Sequence, residues 1–142
     1  MTEVQLYIKS RDLIEGIAEL PFPESTALIS ITDVGYDFAE LKNKPAELLQ
    51  LKFDDVDVDE PINIITDEQA KEIAEFYHRI SRTAKVLICQ CEHGQGRSAA
   101  IAAAIKEYTE GNGIEIFADD RYFPNKVAFR KVLKALKETG RN

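Results

Sequence analysis

Lys85-Val86-Leu87-Ile88-Cys89-Gln90 runs directly into Cys91-Glu92-His93-Gly94-Gln95-Gly96-Arg97-Ser98, and then into an alanine-rich run from Ala99 to Tyr108. The first segment is short and apolar, which predicts a buried strand; the last predicts a helix. A cysteine therefore closes a strand, a loop with two glycines follows, and an arginine and a serine open a helix. Such a loop aims several backbone N–H groups at one spot, and the helix dipole adds partial positive charge there. Gly94 and Gly96 let the backbone curl without Cβ clashes. Arg97 offers a planar, two-pronged donor to a tetrahedral oxyanion. Cys91 sits at the mouth of this cradle, where the donors that hold an anion would also favour its thiolate. A thiolate beneath a bound phosphate is a nucleophile aimed at phosphorus.

Outward from this stretch, the chain alternates strands and helices. Residues 4–8 read as a strand. Ser10 caps a helix over residues 12–20, which Pro21 and Pro23 end. Residues 26–32 are apolar and predict a central strand. Gly35 and Pro45 break the mixed segment that follows, with a short helical turn expected around residues 38–41. Residues 47–53 form a third strand, which runs into Asp54-Asp55-Val56-Asp57-Val58-Asp59-Glu60-Pro61, an acidic loop at a strand end. Thr66-Asp67-Glu68-Gln69 is a capping box. Its helix carries Ala70, Ile73, Ala74, Tyr77 and Ile80 on one apolar face. Gly111 ends the alanine-rich helix. Residues 114–117 read as extended and 119–124 as a loop. Asn125 caps a last helix with Val127, Val132, Leu133 and Leu136 inward.

This order predicts one α/β domain over residues 1–142, with a mainly parallel sheet of about four to five strands and helices on both faces. Ligands in such sheets bind beyond the carboxyl ends of the strands. The Cys91 loop and the acidic loop both follow strands, so they should emerge at the same edge, an acid beside a nucleophile.

Length and composition set bounds. The 142 residues fit one core, and 44% hydrophobic with 30% charged residues is ordinary for a globular protein. A formal net charge of −7 argues against a nucleic-acid or anionic-membrane surface. No apolar run approaches the roughly 20 residues of a membrane span. Met1-Thr2-Glu3-Val4-Gln5 shows no secretory pattern, so a cytoplasmic location is expected. The two cysteines, Cys89 and Cys91, are too close along a strand for an ordinary disulfide. The two histidines, His78 and His93, complete no zinc pattern, so neither metal nor cofactor is expected.

Cys-x-x-Gly-x-Gly-Arg-Ser between a strand and a helix resembles the phosphate loop of the cysteine-dependent protein tyrosine phosphatases. Its Gly-x-Gly-Arg-Ser part is close to the classical enzymes, and the short chain resembles the compact bacterial dual-specificity type. The resemblance implies a three-layer α/β/α fold and hydrolysis of phosphate monoesters through a cysteinyl-phosphate. Cys91 would be the nucleophile and Arg97 the phosphate clamp, while the Ser98 hydroxyl would assist the thiolate as leaving group. Glu92, His93, Gly94, Gln95 and Gly96 would complete the phosphate site, mainly through backbone N–H groups. An Asp should protonate the leaving oxygen and then activate water. Phe53-Asp54-Asp55-Val56 is similar to the acid loop of small bacterial members, in which the second acidic position acts, so Asp55 is the choice; Asp54, Asp57 and Asp59 compete.

The expected substrate is a phosphorylated protein, with phosphotyrosine first, or a small phosphomonoester, and inorganic phosphate is the product. Glu92 and the lack of a loop lysine disfavour polyanionic head groups. The family usually has His before the nucleophile. Gln90 stands there, which implies a higher thiol pKa and a slower enzyme. A second reading is a phosphatase-like module that binds phosphorylated ligands with little turnover. A third, a sulfur transferase, is disfavoured by Arg97-Ser98 and the acidic loop.

Overall fold

A computed structural model describes residues 4–56 and 62–140. Four strands form one sheet: β1 (Gln5–Lys9), β2 (Thr26–Thr32), β3 (Glu47–Lys52) and β4 (Val86–Gln90). Their spatial order is β1-β4-β2-β3, and every pair is parallel. Ile29 lies opposite Cys89 and Ile31 opposite Leu51. The parallel sheet is as expected, with strand number at the lower end. β2 is buried at all seven positions, as an apolar central strand must be.

The two faces of the sheet are unequal. On one lie α2 (Asp67–Ile80) and α3 (Arg97–Glu110), with α5 (Lys126–Thr139) packed against both. Ala27, Ile29, Ile31, Leu87 and Cys89 point into this main core. α3 is buried on every side from Arg97 to Ile105, and its alanines let strands and helices approach closely. The Thr66–Gln69 capping box is formed as predicted, and Gly111 ends α3 with φ +70°.

The opposite face carries Leu28 and Ile88, covered by α1 (Arg11–Ile17). Within α1 only Ile14 is buried, a contribution of about 1.5–3 kcal/mol. Polar ties supplement it. Arg11 Nη2 donates to the Asp37 and Phe38 carbonyls at 2.8 and 3.0 Å, and Asn43 Nδ2 donates to the Ala18 carbonyl at 2.9 Å. These bonds explain a departure from expectation. Residues 38–41 form no helical turn. Side chains of α1 satisfy their backbone instead, with Glu15 accepting from Glu40 N–H, and Ala39 and Leu41 cover the sheet.

A second departure is residues 114–117, expected to be extended. They form a one-turn helix, α4 (Ile114–Phe117). The run pairs with no strand among the described residues. Its Ile116 joins the main core, Phe117 meets Phe129 edge-on at 4.9 Å, and Lys106 Nζ lies 3.3 Å from Glu115. A four-residue apolar run reads as helix or strand until its neighbours are known. No helix among the described residues is long and apolar enough to cross a membrane.

Candidate active site

The loop between β4 and α3 is tied to the body by its own backbone. The Glu92 carbonyl accepts from Arg11 N–H at 3.1 Å, the Gln95 carbonyl from Phe123 N–H at 2.8 Å, and the Gly96 carbonyl from Asn125 N–H at 3.1 Å. In a planar trans peptide, C=O and the following N–H point in opposite directions. Three outward carbonyls therefore turn the N–H groups of His93, Gly96 and Arg97 the other way, at the start of α3. Gly94 has φ +69°, and a Cβ there would come within 2.8 Å of the backbone of Lys9 and Ser10. Both facts require glycine.

Cys91 is 2% exposed, and its Sγ lies 3.1 Å from the Oγ of the fully buried Ser98. Cys89 is its neighbour on the same strand face. Burial and, secondarily, the nearby Cys91 push the Cys89 thiol up to about 12. Cys89 is core, as a buried strand position implies. Gln90 is buried; it accepts from Ser30 Oγ, and its Nε2 donates to the Cys91 carbonyl at 3.1 Å. The amide thus braces the loop at the position where the family's histidine stands.

Arg97 is 3% exposed. Its Nη1 donates to Asp33 Oδ1 at 2.6 Å and to the Phe53 carbonyl at 2.7 Å. Its Nε is buried with no partner among the described residues. A buried guanidinium N–H without an acceptor is costly. An anion bridging Nε and the adjacent Nη2 would satisfy it in the planar, two-pronged manner that arginine favours.

The two described candidates for the acid differ in their surroundings. Asp54 is a brace: Oδ1 accepts from Val34 N–H at 3.0 Å and Oδ2 from Asn63 Nδ2 at 3.3 Å. Asp55 lies against the loop from Cys91 to Ser98, where a Cβ at Gly96 would overlap its carboxylate. Asn125 Nδ2 holds Asp55 Oδ1 at 2.8 Å and the Val56 carbonyl at 2.9 Å. Asp57 and Asp59 lie outside the described residues.

Asn125 was legible in sequence only as a helix cap, and it is one: its Oδ1 accepts from Ala128 N–H at 2.9 Å. Its hold on Asp55, 70 positions away, has no local signal. Asp33 was missed for the same reason.

Cys91, Ser98, Arg97 and Asp55 thus come together, with Glu92, His93, Gly94, Gln95 and Gly96 in the connecting loop. His93 is exposed at the rim rather than packed into the loop. Above Arg97 opens a cleft of about 370 Å³, walled by Asp33, Val34, Tyr36, Asp54, Asp55, Glu92 and His93. A larger cleft of about 690 Å³ follows the outer edge of β1 and includes none of these site residues.

No protein-family model matches the sequence, and no curated protein matches it. Solved structures do. Human DUSP28 superposes with a TM-score of 0.60 at 14% identity, over 95% of this chain and 93% of that one. PTPMT1 in complex with PI(5)P gives 0.56 at 11%, over 96% and 92%. TpbA of P. aeruginosa in complex with phosphotyrosine gives 0.55 at 16%, over 97% and 87%. These neighbours are cysteine-based tyrosine and dual-specificity phosphatases, and the four-stranded parallel sheet flanked by helices is theirs. The chain has the fold of the cysteine-dependent protein tyrosine phosphatases.

Proposed function

We propose that the protein is a metal-independent phosphate monoester hydrolase that acts on phosphotyrosine in proteins. The observation that carries this reading is the buried Nε of Arg97, without a partner among the described residues, at the end of a loop whose Cys91 Sγ lies 3.1 Å from Ser98 Oγ. A phosphate dianion on Arg97 Nε, Nη2 and the loop N–H groups would present phosphorus to Sγ. The thiolate attacks, the P–O bond to the substrate breaks, and Asp55 gives its proton to the leaving oxygen. Asp55, now a carboxylate, takes a proton from water. That water attacks phosphorus, the S–P bond breaks, and the Ser98 hydroxyl donates to the departing thiolate. The sum is monoester plus water to alcohol and inorganic phosphate. A thiolate nucleophile makes a metal-activated water unnecessary.

Asp33 and Asn125 would be positioning residues. Asp33 and the Phe53 carbonyl fix Nη1, which leaves the Nε–Nη2 edge for substrate. Asn125 holds the acid over the loop. Cys91 lies deep, and the exposed Val34 and Tyr36 wall the cleft above it, which suits an aryl ring. A cytoplasmic, reducing compartment would keep the thiol free.

The competing reading is a binding module with little turnover. The bond from Gln90 to the Cys91 carbonyl supports a braced loop at the position that departs from the family pattern. Hydrolysis of an aryl phosphate, in chelator and reductant, tests the proposal. Turnover by the wild type that disappears in Cys91→Ser is expected. Phosphate binding without turnover by the wild type would overturn it.

A further inference from the structure

The phosphate end of the cleft is cationic, whereas its walls are anionic. Asp33, Asp54, Asp55 and Glu92 line it, against the single arginine, Arg97. That arginine is partly neutralised by Asp33 at 2.6 Å. Arg11, the partner of Glu92 at 3.5 Å, is shared with Glu15 at 3.4 Å. The side chains of Glu92 and Asp33 remain 41% and 40% exposed. The whole chain carries −7, so no remote basic field offsets this rim.

The unpartnered Nε of Arg97 marks where the dianion goes, at the floor of the same cleft. What is attached to that phosphate leaves the floor between walls that carry four carboxylates beside Val34, Tyr36 and His93. A second anionic group there meets like charge, and a cationic group meets opposite charge. We propose that this rim selects phosphotyrosyl segments flanked by lysine or arginine and rejects those flanked by aspartate or glutamate. The selection rests on the phosphatase reading and names its substrate class. Glu92 contributes most among residues not assigned to the acid, the clamp or a brace, because its carboxylate is exposed on the cleft wall.

Two phosphotyrosyl peptides of equal length, one with Lys/Arg flanks and one with Asp/Glu flanks, test this by phosphate release. At low ionic strength the ratio of kcat/KM should favour the basic peptide by about tenfold or more. It should shrink toward unity at about 1 M salt, where the Debye length is about 3 Å. Glu92→Gln should lower the ratio; because the ratio is internal to each enzyme, a change in overall rate does not obscure it. Turnover of both peptides with a ratio of one, or one favouring the acidic peptide, overturns the selection and leaves the phosphatase reading standing. If neither peptide is turned over, that reading fails. Fluorescence anisotropy with Cys91→Ser then decides the selection by affinity: tighter binding of the basic peptide upholds it, and equal or reversed affinities overturn it.

Discussion

The loop from Cys91 to Ser98 is held by its own backbone, through carbonyls tied to Arg11, Phe123 and Asn125 and a glycine pressed on Lys9 and Ser10. The acidic loop across the cleft has backbone ties at Asp54 and Val56, but the carboxylates of Asp54 and Asp55 are placed by side chains and by one N–H of Val34. Asn63 and Asp54 brace one part, and Asn125 secures Asp55. Backbone ties survive most substitutions, because every residue except proline carries the same donor and acceptor. Side-chain ties are lost with one atom. The nucleophile's loop should therefore fail only at its chemistry or its glycines, and the acid loop should fail by displacement.

The largest effects belong to the backbone-held loop. Arg97→Lys keeps the charge but loses the two-pronged edge, and kcat toward an aryl phosphate should fall by about 10²–10³-fold. Circular dichroism should show the fold retained. Unchanged kcat would break the contrast at its strongest point.

Displacement of the acid comes next. Asp55→Asn should lower kcat by about 10²-fold or more for substrates with poor leaving groups. It should lower it less for an activated aryl phosphate, whose leaving oxygen needs no proton. Asp54→Asn, at the brace, should keep most of the rate for both kinds of leaving group. If Asp54→Asn shows the loss that depends on the leaving group instead, the assignments are reversed.

Asn125→Ala should lower kcat by about tenfold through a wandering Asp55, with the affinity for inorganic phosphate unchanged. It should also cost about 1 kcal/mol in urea melts through the lost cap. Asn125→Asp keeps the cap and sets two carboxylates together, so a loss of activity without the loss of stability separates the two roles. Smallest is the contrast between the two cysteines. Cys89 is fully buried with its thiol pushed up to about 12, so it stays neutral and unreached at neutral pH. Iodoacetamide followed by mass spectrometry should label Cys91 and spare Cys89.

Much of this was legible because its causes are local. Thr66 and Gln69 close a capping box three residues apart, and Gly111 ends α3, both within one helical turn. β2 reads as a central strand because a largely apolar run of seven residues belongs in the middle of a sheet. Where sequence reading failed, partners were remote. Residues 38–41 stay irregular because α1 satisfies their backbone, and residues 114–117 coil with Ile116 on the main core and Phe117 against Phe129 of α5.

The sequence alone determined the loop that starts at Cys91 and the strand–helix frame around it, since a Cys-x-x-Gly-x-Gly-Arg-Ser run carries its own turn chemistry and helix start. Only the tertiary structure separated Asp55 from Asp54, turned Arg97 toward Asp33 and made Gln90 a brace for Cys91. Adjacent carboxylates are equivalent to any local rule. What distinguishes them is a side chain brought from 70 residues away by the packing of α5 against α2 and α3.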